Sequence, residues 1–169
     1  MDNNITLNEN LFKRIAEVYA QKDSLNLTNE QRQLLQKQYD MFVNNGANLS
    51  AENKEIYRKL CKKISLLELQ FAQNVLNATN QYKLVVSEES RLEGLPQTLK
   101  DVAAEKAKAK GESGWLFDLT YPSYVPFMKY IKDRDLRKEL YMAYNTKAVN
   151  GELDNKPVIK ELVNTRLTL

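Results

Sequence analysis

Apolar positions along this chain recur mostly at three- and four-residue intervals, the spacing that puts side chains on one face of an α-helix. Phe12, Ile15, Ala16 and Tyr19 follow it, as do Leu34, Leu35, Tyr39 and Phe42. Thr6 with Glu9, and Thr28 with Gln31, have the capping-box spacing ahead of these two runs. Asn44-Asn45-Gly46 stops the second run, with Gly46 suited to the left-handed backbone beyond a helix end. Gln21 to Asn26 is polar and reads as the connection, so the two helices are expected to form an antiparallel pair.

The longest pattern follows Ser50, which reads as an N-cap. Ile56, Leu60, Ile64, Leu67, Phe71, Val75, Ala78 and Tyr82 form one stripe, and neither proline nor glycine falls between Ser50 and Gly94. A helix from Ala51 to about Asn80 would be roughly 45 Å long. Such a helix needs apolar cover along both halves, because packing supplies most of its stability. The stripe can be a core seam or a coiled-coil surface for a partner. The other apolar helices of the chain favour the core.

The period then changes. Leu84, Val85 and Val86 favour a strand, and Trp115, Phe117 and Leu119 alternate with Leu116, Asp118 and Thr120. Trp115 to Leu119 is expected to pair with Lys83 to Ser87, in either direction. Between them, Pro96 suits the first turn of a helix carrying Leu99, Val102, Ala103 and Ala107, with a lysine-rich outer face ended by Gly111. Pro122 and Pro126 end the strand pattern, Ser123 is the expected N-cap of a short helix, and Asp133 opens a run with Leu136, Leu140 and Tyr144. After a turn at Asn150-Gly151, Asp154 caps a last helix with Val158, Ile159, Leu162, Val163 and Leu167. The expected fold is mostly α: one helical domain over residues 1–169, with long antiparallel helices and a small two-stranded β insertion.

Composition narrows the function classes. Hydrophobic residues at 43% and charged residues at 28% exclude disorder. A net charge of +3 without a concentrated basic stripe gives no expectation of a nucleic-acid partner. The longest apolar run, Leu140 to Tyr144, is far too short to span a membrane. The opening MDNNITLNEN lacks the basic and apolar regions of a signal peptide. Cys61 is the single cysteine, expected as a half-buried thiol with no histidine to activate it. Without histidine, two imidazoles cannot hold zinc, and Glu88-Glu89 and Asp133/Asp135 lack the spacing of a calcium loop. No catalytic, cofactor-binding or metal-ligating residue is therefore assigned.

Two clusters remain as candidates. Trp115, Phe117, Tyr121, Tyr124, Phe127, Tyr130, Tyr141 and Tyr144 could wall a peptide site, although a packed core with hydroxyls at its rim is the default. Arg134 and Arg137 are expected to tie helices together through carboxylates.

The wording GWLFDLTYPSYVPFMKY, followed by RDLRKELYMAYNTKA and GELDN, resembles the thimet oligopeptidase family of zinc metallopeptidases, in the bacterial peptidyl-dipeptidase (Dcp) and oligopeptidase A branch. SRLEGLP before an alanine- and lysine-rich helix, and NGANLS before a long helix, resemble the same family. The resemblance runs through the chain and is strongest from Ser87 to Asn155. It covers the amino-terminal helical half and none of the catalytic half, whose signature is His-Glu-x-x-His with a further glutamate.

What the resemblance implies is a parent that cleaves short peptides in a channel between two helical halves, using zinc held outside these positions. This piece would be an inactive channel-wall part whose partner is the missing catalytic half, in a cytoplasmic protein, with the periplasm as the alternative. The last helix reaches Leu169 with no C-cap, in keeping with a natural chain that continues. The rival reading is a free-standing helical adaptor that binds a protein partner through its long seam or aromatic cluster.

Overall fold

The structure, a computed structural model, describes residues 3–169. Their order is α1 (Asn3–Thr6), α2 (Glu9–Ala20), α3 (Asn29–Asn44), α4 (Ala51–Gln81), β1 (Leu84–Val86), α5 (Gln97–Ala109), β2 (Trp115–Phe117), α6 (Tyr121–Tyr130), α7 (Arg134–Asn145) and α8 (Lys156–Thr168), with 3-10 turns at Glu89–Leu92 and Gly151–Leu153. The fold is mostly α with one small sheet, as the hydrophobic periods predict. Two compact units divide it: residues up to Leu66 together with Asn164–Leu169, and Leu67–Val163.

In the first unit α2 and α3 pack antiparallel. Phe12 stacks on Tyr39 and Phe42 at 5.9 and 6.1 Å between centroids, while Tyr19, a turn or two later, stacks on Tyr39 at 3.9 Å and donates to Gln36 Oε1 at 2.8 Å. Thr28 and Gln31 close both bonds of the expected capping box. At the other end Gly46, with φ +83°, lets its own N–H reach Val43 O and the Ala47 N–H reach Phe42 O, satisfying two terminal carbonyls. The Thr6–Glu9 capping box does not form. Thr6 belongs to α1, its hydroxyl is buried without a partner, and Asn8 caps α2 by accepting from the Leu11 N–H at 3.1 Å. Lys54 is buried and paired with Glu9 at 3.0 Å.

Ser50 caps α4 through the Asn53 N–H at 3.2 Å, and the helix runs unbroken for 31 residues. Its stripe is covered only in part. Ile64 is buried and Leu60, Leu67, Val75, Ala78 and Tyr82 are half-buried, but Ile56 is 49% and Phe71 39% exposed. Continuous cover was the expectation, and it fails because periodicity marks which face can be buried and not what lies over each turn.

In the second unit β1 and β2 pair antiparallel, with Leu84 opposite Phe117, Val85 opposite Leu116 and Val86 opposite Trp115. Because α5 packs against β2, both Leu116 and Phe117 are buried, and the outward positions are not polar. Gly114 enters the strand with φ +98°, and a side chain there would collide with the Val86 carbonyl. The strand stops at Phe117, short of the expected Leu119. The Asp118 N–H turns to the Ser123 hydroxyl at 3.0 Å, and Asp118 Oδ1 accepts from the Thr120 N–H and hydroxyl. Ser123 is therefore no N-cap: Thr120 holds that position, and Ser123 lies inside α6 with its hydroxyl turned back to the strand end.

α5 begins after Pro96 and ends at Gly111 with the same pair of terminal bonds as α3. Ala103 and Ala107 face the core, whereas Val102, expected beside them, is 60% exposed. Asp133 caps α7 as predicted, accepting from the Asp135 and Leu136 N–H groups at 3.0 Å each. Leu84, Val86, Leu92, Phe117, Phe127, Leu136 and Leu140 make up the centre of this unit. On α8, Asp154 Oδ1 accepts from the Lys156 N–H at 2.9 Å and Val158 is buried, but Ile159 and Val163 are largely exposed.

Candidate functional site

The aromatic cluster divides into a buried part and an outward part. Phe117 and Phe127 meet edge to face at 4.6 Å inside the core. Tyr124 and Tyr144 stack at 3.9 Å, and the Lys147 ammonium sits 3.7 Å from the Tyr144 ring centre, where burial pushes its pKa down. Trp115 is half-buried, while Tyr130, Tyr141 and above all Tyr121, at 74%, are exposed. The core reading describes the phenylalanines, and the exposed tyrosines form surface.

A pocket of about 90 Å³ lies where α5, β2 and α6 meet, lined by Leu99, Ala103, Lys106, Phe117, Pro122 and Pro126 among others. It is far smaller than the roughly 300–1,000 Å³ of a typical ligand site. Lys106 pairs there with Asp118. Burial pulls the Asp118 carboxyl upward, but the hydrogen bonds from Lys106 and Thr120 together outweigh it and hold the pKa below the ordinary value. An ionised, fully engaged carboxylate is a poor general base near neutrality.

The second feature is an open hollow of about 340 Å³ lined by Met128, Arg134, Arg137, Lys138 and Tyr141. The expected ties through carboxylates are absent at both arginines. Arg137 Nη1 donates to the Ile131 carbonyl at 3.1 Å, and neither Arg134 nor Lys138 has an ion pair among the described residues. A guanidinium that does tie elements of this unit together is Arg91, whose Nε meets Asp133 Oδ2 at 2.8 Å. That bond raises the arginine and holds the Asp133 carboxyl low.

No group of three histidine, cysteine, aspartate or glutamate side chains that could hold a metal occurs among the described residues. Glu89 is paired with Lys100 at 3.0 Å, Asp133 is spent on a cap and on Arg91, and Cys61 is half-buried. Zinc takes three or four imidazole, thiolate or carboxylate ligands together in a tetrahedron, and these donors are not grouped that way. What the surface offers is apolar, aromatic and cationic contact. The pairs Lys106–Asp118, Arg91–Asp133 and Asn74–Asn155 were not anticipated from sequence, since each joins residues without local spacing to announce it.

No family model matches the chain. Individual curated proteins do. It is 33% identical over 165 residues to organellar oligopeptidase A, chloroplastic/mitochondrial, of Arabidopsis thaliana, which covers 94% of this chain and 20% of that protein. It is 35% identical over 144 residues to oligopeptidase A of Haemophilus influenzae, covering 82% and 21%. Against the dipeptidyl carboxypeptidase of Escherichia coli it is 32% identical over 166 residues, covering 97% and 24%. The chain spans about a fifth to a quarter of the length of these relatives. Similarity that extends over most of the chain, to oligopeptidase A and dipeptidyl carboxypeptidase alike, shows that this chain belongs to the thimet-like oligopeptidase family and corresponds to one segment of its longer members.

Proposed function

We propose that the chain is a non-catalytic helical part of a zinc-dependent oligopeptidase or peptidyl-dipeptidase that hydrolyses short peptides. The observation that carries this is the even similarity to peptidases over 82–97% of the chain, set against the fifth to a quarter of their length that it spans. The chemistry of the residues agrees with the division of labour. With no histidine and a single cysteine, zinc and its catalytic glutamate belong to the remaining part of the parent. The role left for rigid, mostly helical segments with outward tyrosines is to wall a channel and restrict entry to short, unfolded chains. A cytosolic address is carried in the name of the probable cytosolic oligopeptidase A of Arabidopsis thaliana, and a chloroplast or mitochondrial address in that of the equally similar organellar oligopeptidase A. The periplasmic alternative has no such support.

The free-standing adaptor reading draws on the exposed positions of the α4 seam, Ile56 and Phe71. A segment of a larger protein accounts for those residues equally well, and the similarity to peptidases then decides. The test is cleavage of a quenched fluorescent peptide by the full-length protein and by this chain, alongside zinc titration by calorimetry. The full-length protein is expected to bind zinc, to hydrolyse the peptide and to lose activity with a chelator, while this chain does neither. A zinc-replete full-length protein without activity would refute the peptidase reading, and stoichiometric micromolar zinc binding by this chain would refute its non-catalytic role.

A further inference from the structure

Arg137 is unusual among the cations of the Leu67–Val163 unit. The other half-buried cations there each face a carboxylate or a ring: Lys100 meets Glu89 at 3.0 Å, Lys106 meets Asp118, and Lys147 covers the Tyr144 ring. Arg137 is half-buried with one N–H given to the Ile131 carbonyl. That bond fixes the plane of the guanidinium and leaves the rest of its five-donor fork without a carboxylate. Holding a cation partly out of water without an anion is unfavourable, so such a group is poised to gain from one.

Its surroundings strengthen the point. Arg134 and Lys138 lie three residues before and one after on α7, join it at the rim of the 340 Å³ hollow, and have no ion pair among the described residues. The two acids of α7, Asp135 and Glu139, form no ion pair with any of the three among the described residues. Three cations therefore share the hollow with no ion-paired carboxylate among the described residues. Met128 and Tyr141 supply the apolar remainder of the lining.

We propose that this hollow between α6 and α7 is an accessory peptide-binding site, in which the Arg137 fork, helped by Arg134 and Lys138, takes a carboxylate while Met128 and Tyr141 receive an adjoining apolar side chain. A planar bidentate fork suits a carboxylate, and a thioether beside an exposed tyrosine ring suits a Leu- or Phe-sized neighbour. The carboxylate can come from a peptide's C-terminus or from an acidic side chain. The inference rests on the reading that this protein handles short peptides, but it concerns binding alone.

The experiment is fluorescence anisotropy of N-terminally labelled pentapeptides with this chain in low salt. Three peptides separate the sources: one ending in free Phe, the same peptide amidated, and an amidated peptide with Asp before Phe. Binding of the first with loss on amidation identifies the C-terminus, and recovery by the Asp peptide identifies the side chain. The double substitution Arg134→Glu with Lys138→Glu, at exposed positions, is expected to weaken binding roughly tenfold or more. Arg137→Ala should abolish it, and Lys160→Glu, the same charge change on α8, should leave it intact. Equal binding of all three peptides, no binding of any, or equal losses with Lys160→Glu would overturn the proposal. Such a failure would leave the peptidase reading standing, because that is read from cleavage by the full-length protein.

Discussion

Asn74 donates from its amide to Asn155 Oδ1 at 2.9 Å, and Asn155 in turn donates to the Phe71 carbonyl at 3.2 Å. The two asparagines stand 81 positions apart, and Asn155 is 4% exposed. Its backbone carbonyl also accepts the Ile159 N–H at the start of α8, so one buried residue joins the entry to that helix with the middle of α4.

Asn155→Ala should therefore cost about 1–3 kcal/mol, the penalty for leaving the Asn74 amide without its acceptor in a partly buried place. Urea denaturation checks it. A loss below about 0.5 kcal/mol would mean that water replaces the side chain without penalty.

Leu140 and Phe71 make a contrasting pair. Leu140 is fully buried, and Leu140→Ala should lose about 2–5 kcal/mol. Phe71 is 39% exposed despite its place at the centre of the α4 stripe, and Phe71→Ala should lose clearly less. The reverse order in denaturant melts would show that Phe71 is covered in solution.

Gly114→Ala brings a side chain against the Val86 carbonyl at a backbone angle that alanine rarely adopts. A destabilisation of about 1–3 kcal/mol is expected, together with loss of the β1–β2 pairing. Protection of the strand amides from hydrogen exchange reads this directly, and unchanged protection would rule the clash out.

Acid should release the Lys106–Asp118 tie. The Asp118 carboxyl titrates below its ordinary value in the folded chain, so at mildly acid pH the unfolded chain binds the proton more readily. The pair's contribution is then complete above the unfolded carboxylate value of about 4 and fades as pH falls through the lower folded value. Asp118→Asn should lower stability at neutral pH and flatten this acid limb. Parallel pH–stability curves for the two proteins would assign the limb to other carboxylates, with Asp133 the first to test.

Much of this molecule is legible from local order. The Thr28–Gln31 box, the Asp133 cap and the helix end at Gly46 follow from side chains acting on backbone groups within four residues, and each formed as read. The unbroken α4 and the pairing of two short strands follow from hydrophobic period and the placement of proline and glycine. The lack of any histidine is likewise a matter of composition.

Tertiary packing decided the rest. Thr6 and Ser123 have the residue type for capping, but the chain direction around them sends Thr6 into the interior and turns Ser123 back to Asp118. Phe71 and Val102 lie on apolar faces that their neighbours do not fully cover. Arg137 found a carbonyl where a carboxylate was expected, and its hollow exists only because α6 brings Met128 to the face of α7. The physical reason is range: capping and periodicity are satisfied within a few residues, whereas burial and ion pairing depend on groups that only the folded chain brings near.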